Sequence, residues 1–262
     1  MGSDVILTRS AAGWQRSIDA RPAHAGGGSR LLLLGGWALI RDETRVDVVP
    51  SGQRLLALLA LRGRQSRSRI AGTLWPDTSE SQALANLRST IWRLHSDLPS
   101  VVDRTRQELE LTPGVQVDVH EFVAIAQRLL EEQLAITPDR VPDYAHHLPH
   151  LGELLPGWYD DWVLLERERI HQLRVHALEA LAERLAAAKR YGEAVDVALA
   201  AVSAEPFRES AHCAVVRAHL AEGNPGAALR HYWQYYNLLD TELGMEPSQR
   251  LLGLVAPYLP GR

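Results

Sequence analysis

The chain has one cysteine, Cys213, and one lysine, Lys189, in 262 residues. A lone cysteine excludes an intramolecular disulfide framework and any cysteine-based zinc finger, so a reducing, cytoplasmic setting is expected. The lysine follows Ala188, and no GxxxxGK[ST] string occurs, which excludes a Walker-type phosphate loop. No apolar run approaches the ~20 residues of a membrane helix, so no membrane partner is expected. Residues 1–29 lack a basic start followed by an apolar stretch and do not read as a signal peptide. Their AHAGGGS end predicts a disordered leader instead. There is no nucleophile-elbow string and no Ser/His/Asp spacing. An enzyme is not expected, and neither is a cofactor.

Two constellations invite chemistry and are better read as structure. HHLPH at 146–150 brings three histidines together, but Pro149 interrupts any helical H-x-x-x-H pair, so no metal is expected there. Asp160–Asp161 stand just after Pro156–Gly157 and ahead of an apolar helix, where capping is the expected role rather than acid–base work. Cys213, on an Ala-rich helical face, is expected to pack.

The net charge of −4 conceals an asymmetry. Residues 51–106 carry nine arginines (54, 62, 64, 67, 69, 88, 93, 104 and 106) against four acids (Asp77, Glu80, Asp97 and Asp103). Residues 119–262 carry thirteen basic and twenty acidic residues. A basic block ahead of an acidic one suggests a nucleic-acid-binding half joined to a half with another partner.

Within the basic block, Ser79–Leu111 is the most telling stretch. Leu84, Leu87, Ile91, Leu94 and Leu98 recur at helical spacing and predict one buried stripe. Ser79 and Gln82 have the spacing of a capping box. The opposite face carries Gln82, Asn86, Ser89, Arg93 and Ser96, with Arg88 and Trp92 at its flanks. Amides, hydroxyls and guanidinium groups are the groups that meet base edges and phosphates in a major groove. Trp92 is expected as half-buried core at the stripe edge, and Trp75 as core. VVDRT and QELEL then predict two strands with Arg104 and Arg106 near their turn.

Ahead of this, LLLLGGWALI and TRVDVV read as a small antiparallel sheet. Pro50–Ser51 opens a helix that Gly63 ends, and Ser66 or Ser68 caps a second that Pro76 stops. A sheet, three helices and a hairpin make an OmpR-type winged helix-turn-helix over residues 30–118. Beyond Val119 the chain reads as helical throughout. Gly192, Ala194, Ala198 and Ala201 map onto Gly226, Ala228, Tyr232 and Tyr235 at an offset of 34 residues, and Ala177 and Leu181 map onto Ala211 and Val215. That period predicts tetratricopeptide-like repeats, with small residues where helices cross. The fold class is therefore mainly α: a winged domain at 30–118 and an all-α domain at 119–262.

The segment order, with QRLLALLALRGR, AGTLWPD, ALANLRSTIWRL, LLPGWYDDWVLLERERIHQLRVHALEALAERL and HLAEGNPGAALRHYWQYYNLLDTELGMEPS, resembles the Streptomyces antibiotic regulatory proteins, the AfsR/DnrI-like activators. The likeness covers about residues 30–258. It implies a nucleoid-associated, pathway-specific activator that binds direct repeats overlapping the −35 region as side-by-side protomers. It further implies recruitment of RNA polymerase through its sigma factor, β subunit and α C-terminal domain. Carried over by position, Gln82, Asn86, Arg88, Ser89, Trp92 and Arg93 would meet promoter DNA, with Arg104 and Arg106 on the wing. Many relatives close the wing with a Gly-Tyr pair, whereas this chain has Gln107-Glu108-Leu109. The likeness also implies a member that ends with the activation domain, without the ATPase and sensor regions of larger members. The alternatives are a protein-interaction adaptor and a ligand-responsive regulator, although no polar constellation in the sequence marks a ligand pocket.

Overall fold

The computed structural model describes residues 28–131 and 147–259. Most of the expected leader, together with Pro138, Pro142 and His146, lies outside those residues. Two compact units form, and two of the boundaries between them, after Val123 and after Arg169, fall inside helices.

The first unit holds residues up to 123 together with 152–169. It opens with strands β1 (Ser29–Leu32), β2 (Ala38–Arg41) and β3 (Thr44–Val46). The sheet therefore starts at Ser29, one residue before the expected boundary. Gly35 and Gly36, with φ of 80° and 147°, break LLLLGGWALI into two strands rather than one. Asp42 and Glu43, both at positive φ, make the two-residue turn between β2 and β3. β7 (Gln116–Val117) adds in parallel on the other side of β1. Its end is fastened by Asp118, the first residue of helix α4 (Asp118–Leu130). The Asp118 carboxylate accepts the Leu33 and Leu34 N–H groups at 2.9 Å and the Val119 N–H at 2.7 Å. Burial nevertheless pushes this carboxyl up to about 6, against the pull of those donors. Folding thus favours its protonated form, and its contribution to stability falls as pH rises from the ordinary carboxylate range toward 6.

Helices α1 (Pro50–Arg62), α2 (Arg67–Leu74) and α3 (Glu80–Asp97) follow the first hairpin. Pro50 sits in the first turn of α1, and Gly63, at φ 68°, ends it with its N–H on Leu59 O. Ser66 caps α2 and Ser79 caps α3. The capping box is only half formed, because Gln82 Nε2 turns to Asn86 Oδ1 at 3.2 Å instead of reaching back. Ala83, Leu87, Ile91, Leu94 and Leu98 are buried, joined by Thr90, while Leu84 is only half-buried. At Gly52 a Cβ would stand 2.8 Å from a Val48 methyl and 3.0 Å from Leu94 Cδ2, so the glycine lets α1 approach α3. After α3, β5 (Val102–Arg104) and β6 (Glu108–Leu111) form the hairpin.

Residues 152–169 were expected within the helical half, and contacts draw them into this first unit. Leu155 N–H bonds Leu33 O and Gly35 N–H bonds Glu153 O, both at 2.8 Å, which extends the β1 edge. The backbones touch there: a Cβ at Gly152 would lie 2.4 Å from Gly35 Cα. The Arg167 guanidinium then gathers the carbonyls of Leu154, Leu155 and Trp158 at 2.6–2.9 Å. Asp160 pairs with Arg54 and Glu166 with Arg62. The Asp160 carboxylate holds a guanidinium, while its carbonyl accepts the Val163 and Leu164 N–H groups at 2.8 and 3.1 Å, so Asp160 stands at the start of the helix and Asp161 in its first turn. Trp75, expected in the core, is half-buried.

The second unit contains residues 124–131, 147–151 and 170–259 of those described. Its helices are the later parts of α4 and of α5 (Asp161–Ala187), then α6 (Tyr191–Ala204), α7 (Glu209–Ala221), α8 (Pro225–Leu243) and α9 (Gln249–Val255). α7 packs against α6, α8 and α9. The mapped pairs Ala177/Ala211, Leu181/Val215, Ala194/Ala228, Ala198/Tyr232 and Ala201/Tyr235 are all buried. Gly192 and Gly226 are exposed, and a Cβ at either would meet no backbone, so alanines and not these glycines set the helix approach. Cys213 packs beside Val216, Tyr232 and Leu251, and burial raises its thiol pKa.

One polar pair sits in this core. His212 Nδ1 and His231 Nε2 lie 3.0 Å apart, and the His212 ring stacks on Tyr235 at 3.8 Å. His212 Nε2 bonds Pro206 O at 2.9 Å. Pro206 O can only accept, so His212 Nε2 donates to it, and neutral His212 then accepts the His231 Nε2 proton on Nδ1, whereas two protonated rings would set two N–H groups head to head. Burial and the neighbouring imidazole push His231 down to about 4, and burial lowers His212 as well. The folded pKa lies below the unfolded one, so this stability is present above the ordinary histidine pKa and is lost as pH falls from there toward 4.

Two outcomes follow. Gly152→Ala, which forces backbone apart, lowers the melting temperature, with a cost of about 1–3 kcal/mol. His231→Gln loses less of its urea midpoint than the wild-type chain between pH 7 and pH 5, as read by denaturation at both pH values.

Candidate nucleic-acid interface

The phase of α3 decides what it shows. With Ile91 and Leu94 inward, the residues about 100° and 200° further round point out. Gln82, Arg88, Ser89 and Arg93 are exposed, and Asn86 is half-buried. Trp92 was expected as half-buried core and is instead 72% exposed, because its neighbours Ile91 and Leu94 take the inward positions. Arg104 and Arg106, on the hairpin, are exposed.

The basic block is less uniform than its composition. Arg54 and Arg62 are tied to Asp160 and Glu166, and Arg64 holds Glu110 through two contacts of 2.5 and 2.9 Å. Among the described residues, Arg88, Arg93, Arg104 and Arg106 form no ion pair. The charge left uncompensated therefore falls on the outward face of α3, on the hairpin, and on Arg67 and the exposed Arg69 of α2.

The hairpin is built by residues that pattern reading passed over. Strand β4 is only Gln65–Ser66, too short to show a period, yet it pairs with Leu109 and Glu108 of β6 and makes a three-stranded sheet. Thr105 closes the turn: its N–H bonds Glu108 O at 3.0 Å, and its Oγ1 accepts the Glu108 N–H at 2.9 Å and the Gln107 N–H at 3.3 Å. A hydroxyl turn thus stands where relatives were expected to use Gly-Tyr. Arg67 ties this turn to the start of α2, its N–H on Gln107 O at 2.9 Å and its Nη2 on Thr105 O at 3.1 Å. Among the described residues no acid partners it. Burial and the Arg104 charge lower its pKa, which marks a cation held close to another cation. A threonine two residues before the turn's end was the available signal for this closure.

Residues 117–256 match the family model of the bacterial transcriptional activator domain. That match spans more than half of the chain. The chain belongs to the bacterial transcriptional activator domain family. Membership makes it a transcriptional regulator and not an enzyme. Among solved structures, it is similar to Mycobacterium tuberculosis EmbR in complex with a low-affinity phosphopeptide. The TM-score is 0.72 at 21% identity, over 90% of this chain and 67% of that one. The two share a fold, mainly helical behind a leading sheet. A search of curated proteins finds no match. Among the described residues, no helix of this regulator is long and apolar enough to cross a membrane.

Arg67→Gln removes the guanidinium contact to Thr105 O and keeps the backbone pairing. The expected result is faster amide exchange at Gln107 and Glu108 by hydrogen–deuterium exchange, with a global stability loss of only about 1 kcal/mol.

Proposed function

We propose that residues 30–118 form an OmpR-type winged helix-turn-helix that binds promoter DNA, and that 119–262 form a tetratricopeptide-like activation domain. The chain is then an activator of the Streptomyces antibiotic regulatory type, cytoplasmic and acting at the nucleoid. It binds direct repeats near the −35 region as paired protomers. It recruits RNA polymerase through sigma, β and α C-terminal surfaces, for a secondary-metabolite gene cluster. The observation that carries this reading is the outward face of α3. Gln82, Asn86, Arg88, Ser89, Trp92 and Arg93 share one side of a capped helix, with arginines that have no acidic partner among the described residues. An ordinary solvated face alternates acids and bases, and this one does not.

In this reading α3 enters the major groove, where Arg93, Asn86 and Ser89 meet base edges or phosphates. Arg104 and Arg106 approach the backbone from the wing. The Gln82–Asn86 hydrogen bond orders both amides before DNA arrives, which reduces the rotamer entropy lost on binding.

The test is fluorescence anisotropy on promoters of the native gene cluster, with footprinting. Arg93→Ala is expected to weaken binding by about 1–3 kcal/mol, roughly 5- to 150-fold. Arg106→Ala is expected to lower the slope of log affinity against log salt by about 0.9 if its contact is one phosphate. Absence of footprint on every promoter of the cluster overturns the reading.

A further inference from the structure

The second unit contains a cleft of about 800 Å³ between the Leu148–His150 turn, α5 and α6. That volume lies in the range of small-molecule sites. Two contacts hold its walls apart. Arg174 Nη2 donates to Pro149 O at 2.8 Å, fixing the turn against α5. His171 Nε2 lies 2.8 Å from Glu205 Oε1, fixing α5 to the end of α6. Ala200, Ser203 and Ala204 line the α6 side, and such short side chains leave the space unfilled.

The charge in the cleft is unbalanced at one point. Arg174 is half-buried, pairs with no carboxylate among the described residues, and its Nε finds no hydrogen-bond acceptor. Burial lowers its pKa, the response of a guanidinium that has lost water and gained no counter-ion. Of the acids on the lining, Glu193 is engaged by Arg190 at 2.5 and 2.7 Å, and Asp196 is exposed. Val197 and Leu199 supply an apolar wall.

We propose that this cleft binds a small organic monocarboxylate, its carboxylate at Arg174 and its apolar body along Val197 and Ala200. A guanidinium is the side chain best shaped for a carboxylate. The exposed Asp196 disfavours polyanions, because a second negative charge would meet it. The assignment does not depend on DNA binding.

Benzoate is the probe, titrated calorimetrically into the full chain, with benzamide and inorganic phosphate as comparisons. Benzoate gives a saturable signal and raises the melting temperature, and benzamide, which lacks the charge, does neither. Arg174→Gln weakens benzoate binding at least tenfold. Ala200→Leu, which fills the cleft from the opposite wall, does the same while leaving Arg174 in place, so the result survives if the first variant folds poorly. Absence of benzoate binding, equal binding of benzamide, preference for phosphate, or unchanged binding in Ala200→Leu each overturns the assignment.

Discussion

The rotational phase of α3 is the constraint on which the first unit depends. Five apolar residues on one side, from Ala83 to Leu98, are buried against α1 and α2. Burying four side chains of Leu or Ile size contributes about 6–12 kcal/mol before entropy is subtracted. A turn of the helix by one position would expose most of that surface. Gly52 makes the close approach possible, since any Cβ there would contact Val48 and Leu94. Once the phase is set, the outward residues are set as well. The identity of those residues is then the only freedom left to the sequence on that face, and it holds amides, hydroxyls, arginines and a tryptophan.

Charge is distributed by the same logic. The nine arginines of residues 51–106 are not equivalent, because the fold uses some of them internally. Arg54 and Arg62 fasten the 152–169 segment, and Arg64 braces β6. The Arg54 and Arg62 pairs are partly solvent-exposed and each adds modest stability, on the order of 1 kcal/mol or less, and the Arg64 pair lies in water, where screening weakens it further. Their larger consequence is spatial: pairing removes positive charge from one region and leaves it on α3 and the hairpin. Arg67 and Arg69, on α2, belong to neither set: Arg67 Nη2 donates to Thr105 O, Arg69 is exposed, and neither forms an ion pair among the described residues.

Much of this was legible in the sequence, and the failures have physical causes. The α3 stripe, the Ser79 cap, the Gly63 stop and the 34-residue offset all follow from local spacing, and each corresponds to an observed element. Strand β4 has two residues, too few for any period, and exists only because β6 offers an open edge. The joining of residues 152–169 to the first unit depends on pairing across more than a hundred positions, between Leu33 and Leu155. No local pattern encodes such a contact, although the paired glycines at 35 and 152 permit it. The cleft at Arg174 was invisible for a similar reason. His150, Arg174 and Ala200 are spread over fifty residues, and only the packing of α5, α6 and the turn assembles them.

Trp92 shows where spacing ends and chemistry begins. Its exposure is imposed: with Ile91 and Leu94 both inward, position 92 has nowhere else to point. Its residue type is not imposed, and serine or lysine would serve an idle surface better. An indole has about 150–250 Å² to bury, so leaving it 72% in water forgoes roughly 3 kcal/mol of apolar burial or more. Ala83, Leu87, Ile91, Leu94 and Leu98 are each at most 7% exposed, so this is not a loosely packed element. The indole stands one turn from Arg88 and beside Arg93, an apolar plate next to two cations that form no ion pair among the described residues. A partner that combines a stacked or apolar surface with dense negative charge would cover all three at once, and duplex DNA has that combination.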